Sequence, residues 1–133
     1  MANLDFSAVA LAAVMAAAAL PAAAQAPPQA MAVDGKFVMQ GGEAIYQNLC
    51  QACHMADAKG AQGAGIYPAL AGNPKLSVAA YPIHVVVKGQ RGMPIFGEML
   101  DDQQVADVVG YVRTHFGNSY PSPVTPAMVK AQR

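Results

Sequence analysis

Cys50 and Cys53 are the two cysteines of the chain, and His54 follows directly, giving C-Q-A-C-H. Four chemistries use thiols at this spacing. A single disulfide is the plainest for an exported chain. A thioredoxin-like redox pair needs a strand ahead of the motif within a βαβ unit. Here the preceding GGEAIYQNLC carries Ile45 and Leu49 at helical spacing, with Tyr46 and Cys50 one residue on. A zinc site needs further Cys or His in a compatible arrangement, and only His84 and His115 remain, each inside an apolar-periodic stretch. The fourth chemistry is covalent haem attachment, for which C-x-x-C-H is the signature. Two thiols add across the two vinyl groups of the porphyrin, and the adjacent imidazole is delivered to the iron. The motif predicts one haem c, bound through Cys50 and Cys53, with His54 as proximal ligand.

The other axial position decides the function. An open position supports ligand or peroxide chemistry, whereas His/Met ligation carries electrons. Downstream candidates are Met93, Met99, His84, His115 and Met128. Met93 lies in KGQRGMPIFG, where Gly89 and Gly92 keep the loop free and Pro94 sets the backbone beyond it. A polar, glycine-rich loop is an odd place for a methionine unless its sulfur is used; the plain alternative is gap-filling in the core. Met99 is the main rival and reads more simply as packing over the haem or into the core. His115, late in a helix, suits the C-terminal end of the dipole. Met93 is the expected distal ligand.

Three helices must position these residues. The first is expected over about Gly42 to Gln51. The second is expected to start at Pro82, in the first helical position, to bury Ile83, Val86 and Val87, and to stop at Gly89. The third opens on Asp101 with Gln104 three residues later, a capping box. Val105, Val108, Val109, Val112 and Phe116 follow at three- and four-residue spacing until Gly117. A crossing with the first helix is expected near Gly41, Gly42 and Tyr46. Between Met55 and Ser77 the glycines and prolines predict loop. Its apolar islands Ile66, Tyr67, Pro68 and Leu70 are expected to line the haem. The Pro68 carbonyl is the expected acceptor for His54 Nδ1–H, with a simple turn-forming proline as the alternative. No strand pattern is legible, so the expected fold is all-α around one haem.

Composition sets the frame. Eight Lys+Arg balance eight Asp+Glu, and a net charge of zero without a basic cluster argues against nucleic-acid binding. The 54% hydrophobic content overstates the core, because more than half of the alanines fall in residues 1–32. Phe6 to Leu20 is short for a membrane span and fits the apolar stretch of a secretory signal. The expected organisation is a signal peptide over 1–24 (with cleavage after 26 as an alternative) and a flexible leader over 25–36. A haem domain follows over 37–118, then a Pro-rich arm over 119–133 that is extended and ends in a short polar turn. Asp5, without a basic residue ahead of the apolar run, leaves an uncleaved membrane anchor as the alternative to a soluble periplasmic protein. A small chain with only four Phe, five Tyr and no Trp needs a staple, and haem would serve.

Cys50–Cys53–His54, Pro68, Met93–Pro94 and the terminal helix together resemble the class I cytochrome c family from about Val38 to Asn118. The resemblance implies the cytochrome c fold, with His54 and Met93 as axial ligands and the Pro68 carbonyl on the histidine. It also implies Tyr111 packing against the first helix at Gly42 and Tyr46. The stretch from His54 to Met93 is short for the family, which implies a more exposed propionate edge. RGMPIF, VVGYVRTHFGNSY and VTPAMV resemble small cytochromes that accompany bacterial periplasmic dehydrogenases of quinoprotein, flavoprotein or molybdenum type. The expected function is therefore electron transfer from such an enzyme to a terminal oxidase or another cytochrome, with no catalysis by this chain. A small peroxidase or a gas sensor is the alternative and needs an open distal site. Lys59, Lys75, Lys88 and Arg91, against Asp57 alone, suggest either a mildly basic docking face or an ordinary mixed surface.

Overall fold

The computed structural model describes residues 34–63 and 65–133. The expected signal peptide and the leader up to residue 33 lie outside the described residues. The described residues form four helices, two short 3-10 turns (Pro74–Ser77, within the stretch expected to be loop, and Phe96–Glu98) and one small hairpin. The first helical run, α1, covers 42–54. It consists of an α-helical turn Gly42–Ile45, a π-helical stretch Tyr46–Cys50 and a second α-helical turn Gln51–His54. Gln51 N–H bonds Tyr46 O, five residues back, so one extra residue is fitted in just ahead of the second cysteine. The run extends three residues past the expected end, because nothing in QACH interrupts a helix. Met55, at φ 67°, ends it.

Helix α2, Ala80–Lys88, starts two residues earlier than expected, and Pro82 is its third residue. The proline is still tolerated there, since the first four N–H groups of a helix have no intrahelical partner. Helix α3, Asp102–Thr114, carries the capping box: Gln104 N–H bonds Asp101 Oδ1 and Asp101 N–H bonds Gln104 Oε1, both at 2.8 Å. It ends before Gly117. His115 is already extended, and Phe116 and Gly117 both take positive φ. His115 Nδ1 lies 2.9 Å from the Tyr111 carbonyl and so caps the final turn with a side chain.

Two features differ from a purely helical chain with an extended arm. Ala61–Gln62 (β1) pairs antiparallel with Ile66–Tyr67 (β2), Ala61 opposite Tyr67 and Gln62 opposite Ile66. Strands of two residues show no alternation to read. The arm, in turn, ends in a helix, α4, Pro126–Lys130, with Thr125 as its N-cap and Pro126 at its first position. Val129 is fully buried by it, against α2 and α3.

The core is one cluster joining Met39, Ile45 and Tyr46 to Leu76, Ile83 and Val87, and to the valines of α3. Helix α1 crosses α3 at Gly42. A Cβ there would stand 2.2 Å from the Asp107 carbonyl oxygen and 2.5 Å from Tyr111 Cβ. Tyr46 packs on Tyr111 at 5.8 Å and on Phe116 at 4.8 Å between ring centroids.

Candidate functional site

Helix α1 delivers Cys50, Cys53 and His54 together at its C-terminal end. Both cysteines are half-buried free thiols. Burial pushes the Cys50 thiol up to about 12, and neighbouring Cys53 adds to the rise. A redox pair depends on a lowered thiol pKa, so this environment disfavours that reading.

His54 is buried, and its Nδ1 lies 2.9 Å from the Pro68 carbonyl oxygen. A carbonyl can only accept, so Nδ1 carries the proton and donates it. In a neutral imidazole this is the tautomer whose Nε2 lone pair is available to a metal. The loop that brings Pro68 there is tightly bonded. Gly60 N–H bonds the His54 carbonyl at 3.1 Å, and the Ala58 carbonyl accepts from both Leu70 N–H and Ala71 N–H. Gly60, at φ 69°, is a close-approach point: a Cβ would stand 2.1 Å from Tyr67 O and 2.9 Å from Pro68 O. At the helix end, the Tyr46 hydroxyl donates to the Met55 carbonyl at 2.7 Å.

Among the remaining expected residues, Leu70 is half-buried against the core, and Asn118 Nδ2 donates to its carbonyl at 2.8 Å. Ile66 is 81% exposed and Tyr67 41%. Met93 lies on a separate loop and is half-buried. Gln90 and Met93 exchange backbone hydrogen bonds at 3.0 and 3.3 Å across a two-residue turn. Arg91, and not Gly92, takes the positive φ in that turn. Gly89, at the end of α2, lets this loop fold back: a Cβ there would stand 2.8 Å from Met93 O. Ile95, next but one to Met93, is 51% exposed. No described bond joins the Met93 loop to His54.

The residues fit a haem on two counts. The donor set is two thiols three residues apart and an imidazole with Nε2 available. Large apolar side chains, Ile66 and Tyr67 beyond His54 and Ile95 beyond Met93, stay outside the protein's own core. Of the other candidate ligands, His84 is exposed and His115 is occupied at the end of α3. Met99 is half-buried and Met128 38% exposed.

Several supporting residues were not legible beforehand. Asn118 is buried and bridges three backbone groups: it donates to Leu70 O and Val112 O and accepts from Asn73 N–H. Arg113, also buried, donates to the carbonyls of Leu76, Ser77 and Ser122. Among the four bases of the expected docking face, Lys59 pairs with Asp57 at 3.4 Å and Lys88 donates to the Arg133 carbonyl. That favours the mixed-surface reading.

The family model described as cytochrome c oxidase, cbb3-type, subunit III matches residues 38–112. The gluconate 2-dehydrogenase cytochrome c subunit of Pantoea cypripedii is 35% identical, over 71% of this chain and 24% of that protein. The cytochrome c subunit of the quinone alcohol dehydrogenase of Gluconacetobacter polyoxogenes is 33% identical, over 77% and 24%. The fructose dehydrogenase cytochrome subunit of Gluconobacter japonicus is 34% identical, over 59% and 19%. The chain thus spans about a fifth to a quarter of the length of these relatives.

Proposed function

The chain belongs to the cytochrome c domains of the cbb3-type oxidase subunit III family, and from that premise we propose that it transfers single electrons through one haem c. Cys50 and Cys53 would hold the group covalently, and His54 and Met93 would supply the two protein donors to its iron. Bound there, haem supplies the reversible gain and loss of one electron at iron. The protein's share is to hold both donors still. The Pro68 carbonyl fixes the ring orientation and tautomer of His54, and this 2.9 Å bond is the observation that carries the reading. The Gln90–Met93 turn and Pro94 set the backbone of Met93. Ile66, Tyr67 and Ile95, exposed beside these donors, would shield the edges of the bound group from water.

The proposed donor is a dehydrogenase, in keeping with the named relatives; we take it to be a periplasmic enzyme of quinoprotein, flavoprotein or molybdenum type, and the acceptor to be a terminal oxidase or another cytochrome. The chain is an electron carrier or electron-transfer subunit and not the dehydrogenase itself. We place it in the periplasm. Among the described residues no helix is long and apolar enough to cross a membrane.

The test is the visible spectrum of wild type and Met93→Ala, matured where haem is attached. Wild type is expected to be low-spin with the weak near-red sulfur-to-iron band, and Met93→Ala should lose that band and bind carbon monoxide when reduced. A high-spin wild type that binds carbon monoxide fully would instead favour the small peroxidase or gas sensor. A band retained in Met93→Ala would move the ligand to Met99.

A further inference from the structure

The chain beyond α3 returns to the segment that follows Met93. Helix α4 packs on both α2 and α3, the helices on either side of that loop, and is pinned by Val129. It delivers Arg133 to the segment 94–100. The guanidinium donates to the Gly97 and Leu100 carbonyls and bonds the Asp102 carboxylate, while Lys88 Nζ closes the ring onto the Arg133 carbonyl. Among the described residues no other side chain hydrogen-bonds the backbone of 94–100. Behind the segment, Gly97 lies against the end of α2, where a Cβ would stand 2.5 Å from the Val87 carbonyl oxygen. The planar guanidinium of Arg133 therefore joins the short 3-10 turn Phe96–Glu98 to the start of α3, and the Arg133 carbonyl ties the end of α2 to them through Lys88.

We propose that Arg133 is a positioning residue for Met93: it braces the 94–100 segment so that the methionine stays on the iron against competing ligands. The inference rests on Met93 being the distal ligand. An added ligand competes with Met93 for the fraction of time the loop is open, so weakening the brace raises its apparent affinity.

The experiment measures imidazole affinity of the oxidised holoprotein at neutral pH, with far-UV circular dichroism alongside. Arg133→Ala is expected to bind imidazole about tenfold tighter, the scale of one lost charged hydrogen bond, with helical signal unchanged. Arg133→Lys should fall between, and Gln132→Ala should match wild type. Met93→Ala sets the ceiling, and Arg133→Ala added to it should change nothing further. Wild-type affinity in Arg133→Ala overturns the inference, as does a rise that comes only with lost helical signal. If Met93→Ala itself binds like wild type, the ligand reading has failed and takes the brace with it. If Met93→Ala binds tightly and Arg133→Ala does not, the brace alone has failed.

Discussion

His54 owes its ring orientation to the Pro68 carbonyl, and that carbonyl is in place because Gly60 leaves room for it. Tyr46 plays the matching part at the end of α1. Its hydroxyl is bonded to Met55 O, and burial, with smaller contributions from Cys50 and Asp57, raises its pKa from 10.0 to about 12. The folded phenol therefore keeps its proton where the unfolded one loses it. Between those two values the unfolded chain binds fewer protons, so this contribution to stability is whole below about pH 10 and is lost as pH rises toward 12. Tyr46→Phe is expected to flatten the decline in stability across that window, measured by denaturant unfolding at several pH values. It should also cost about 1 kcal/mol at pH 7 through the lost hydrogen bond.

Among the elements, α1 and α3 meet at a point that tolerates no side chain. Gly42→Ala would drive a Cβ into the Asp107 carbonyl oxygen and Tyr111 Cβ. Backbone cannot give way as a flexible side chain can, so the helices must separate. A loss of about 3 kcal/mol is expected, the scale of overpacking in a tight core, seen as a lower midpoint in thermal unfolding. Helix α3 was the most legible element, because its capping box and valine periodicity are local signals. Its end was less so: Phe116 continues the apolar spacing but lies outside the helix, turned by its positive φ onto Tyr46. The π-helical stretch in α1 left no sign in composition or spacing.

As a whole, the molecule has a core of modest side chains, mostly valine and alanine beside Tyr46, Ile45, Ile83 and Met39. Valine is a middling helix former, so α3 depends on packing. Chain in which Cys50→Ala and Cys53→Ala prevent haem attachment is expected to lose a large part of its helical circular dichroism and its cooperative thermal transition. Native-like helicity and a sharp transition in that variant would show that the core stands without the group. Asn118 and Arg113 tie distant loops and the C-terminal segment to α3 through backbone carbonyls, so loosening the core should also release the loops beside His54.

From sequence alone came the chemistry whose signal is local. The C-Q-A-C-H motif pointed to haem, Met93–Pro94 to a distal donor, and Asp101 with Gln104 to the start of α3. Tertiary structure decided what depends on approach between distant segments. One glycine among several in the 55–77 loop, Gly60, makes room for the Pro68 carbonyl, and one arginine among several bases, Arg133, reaches Gly97 and Leu100 in the segment that follows Met93. The arm read as extended also became a helix with a buried valine. Periodicity and capping act within a few residues and leave a pattern in the chain. Close backbone approach and hydrogen bonds to carbonyls use groups that every residue carries, so they leave none.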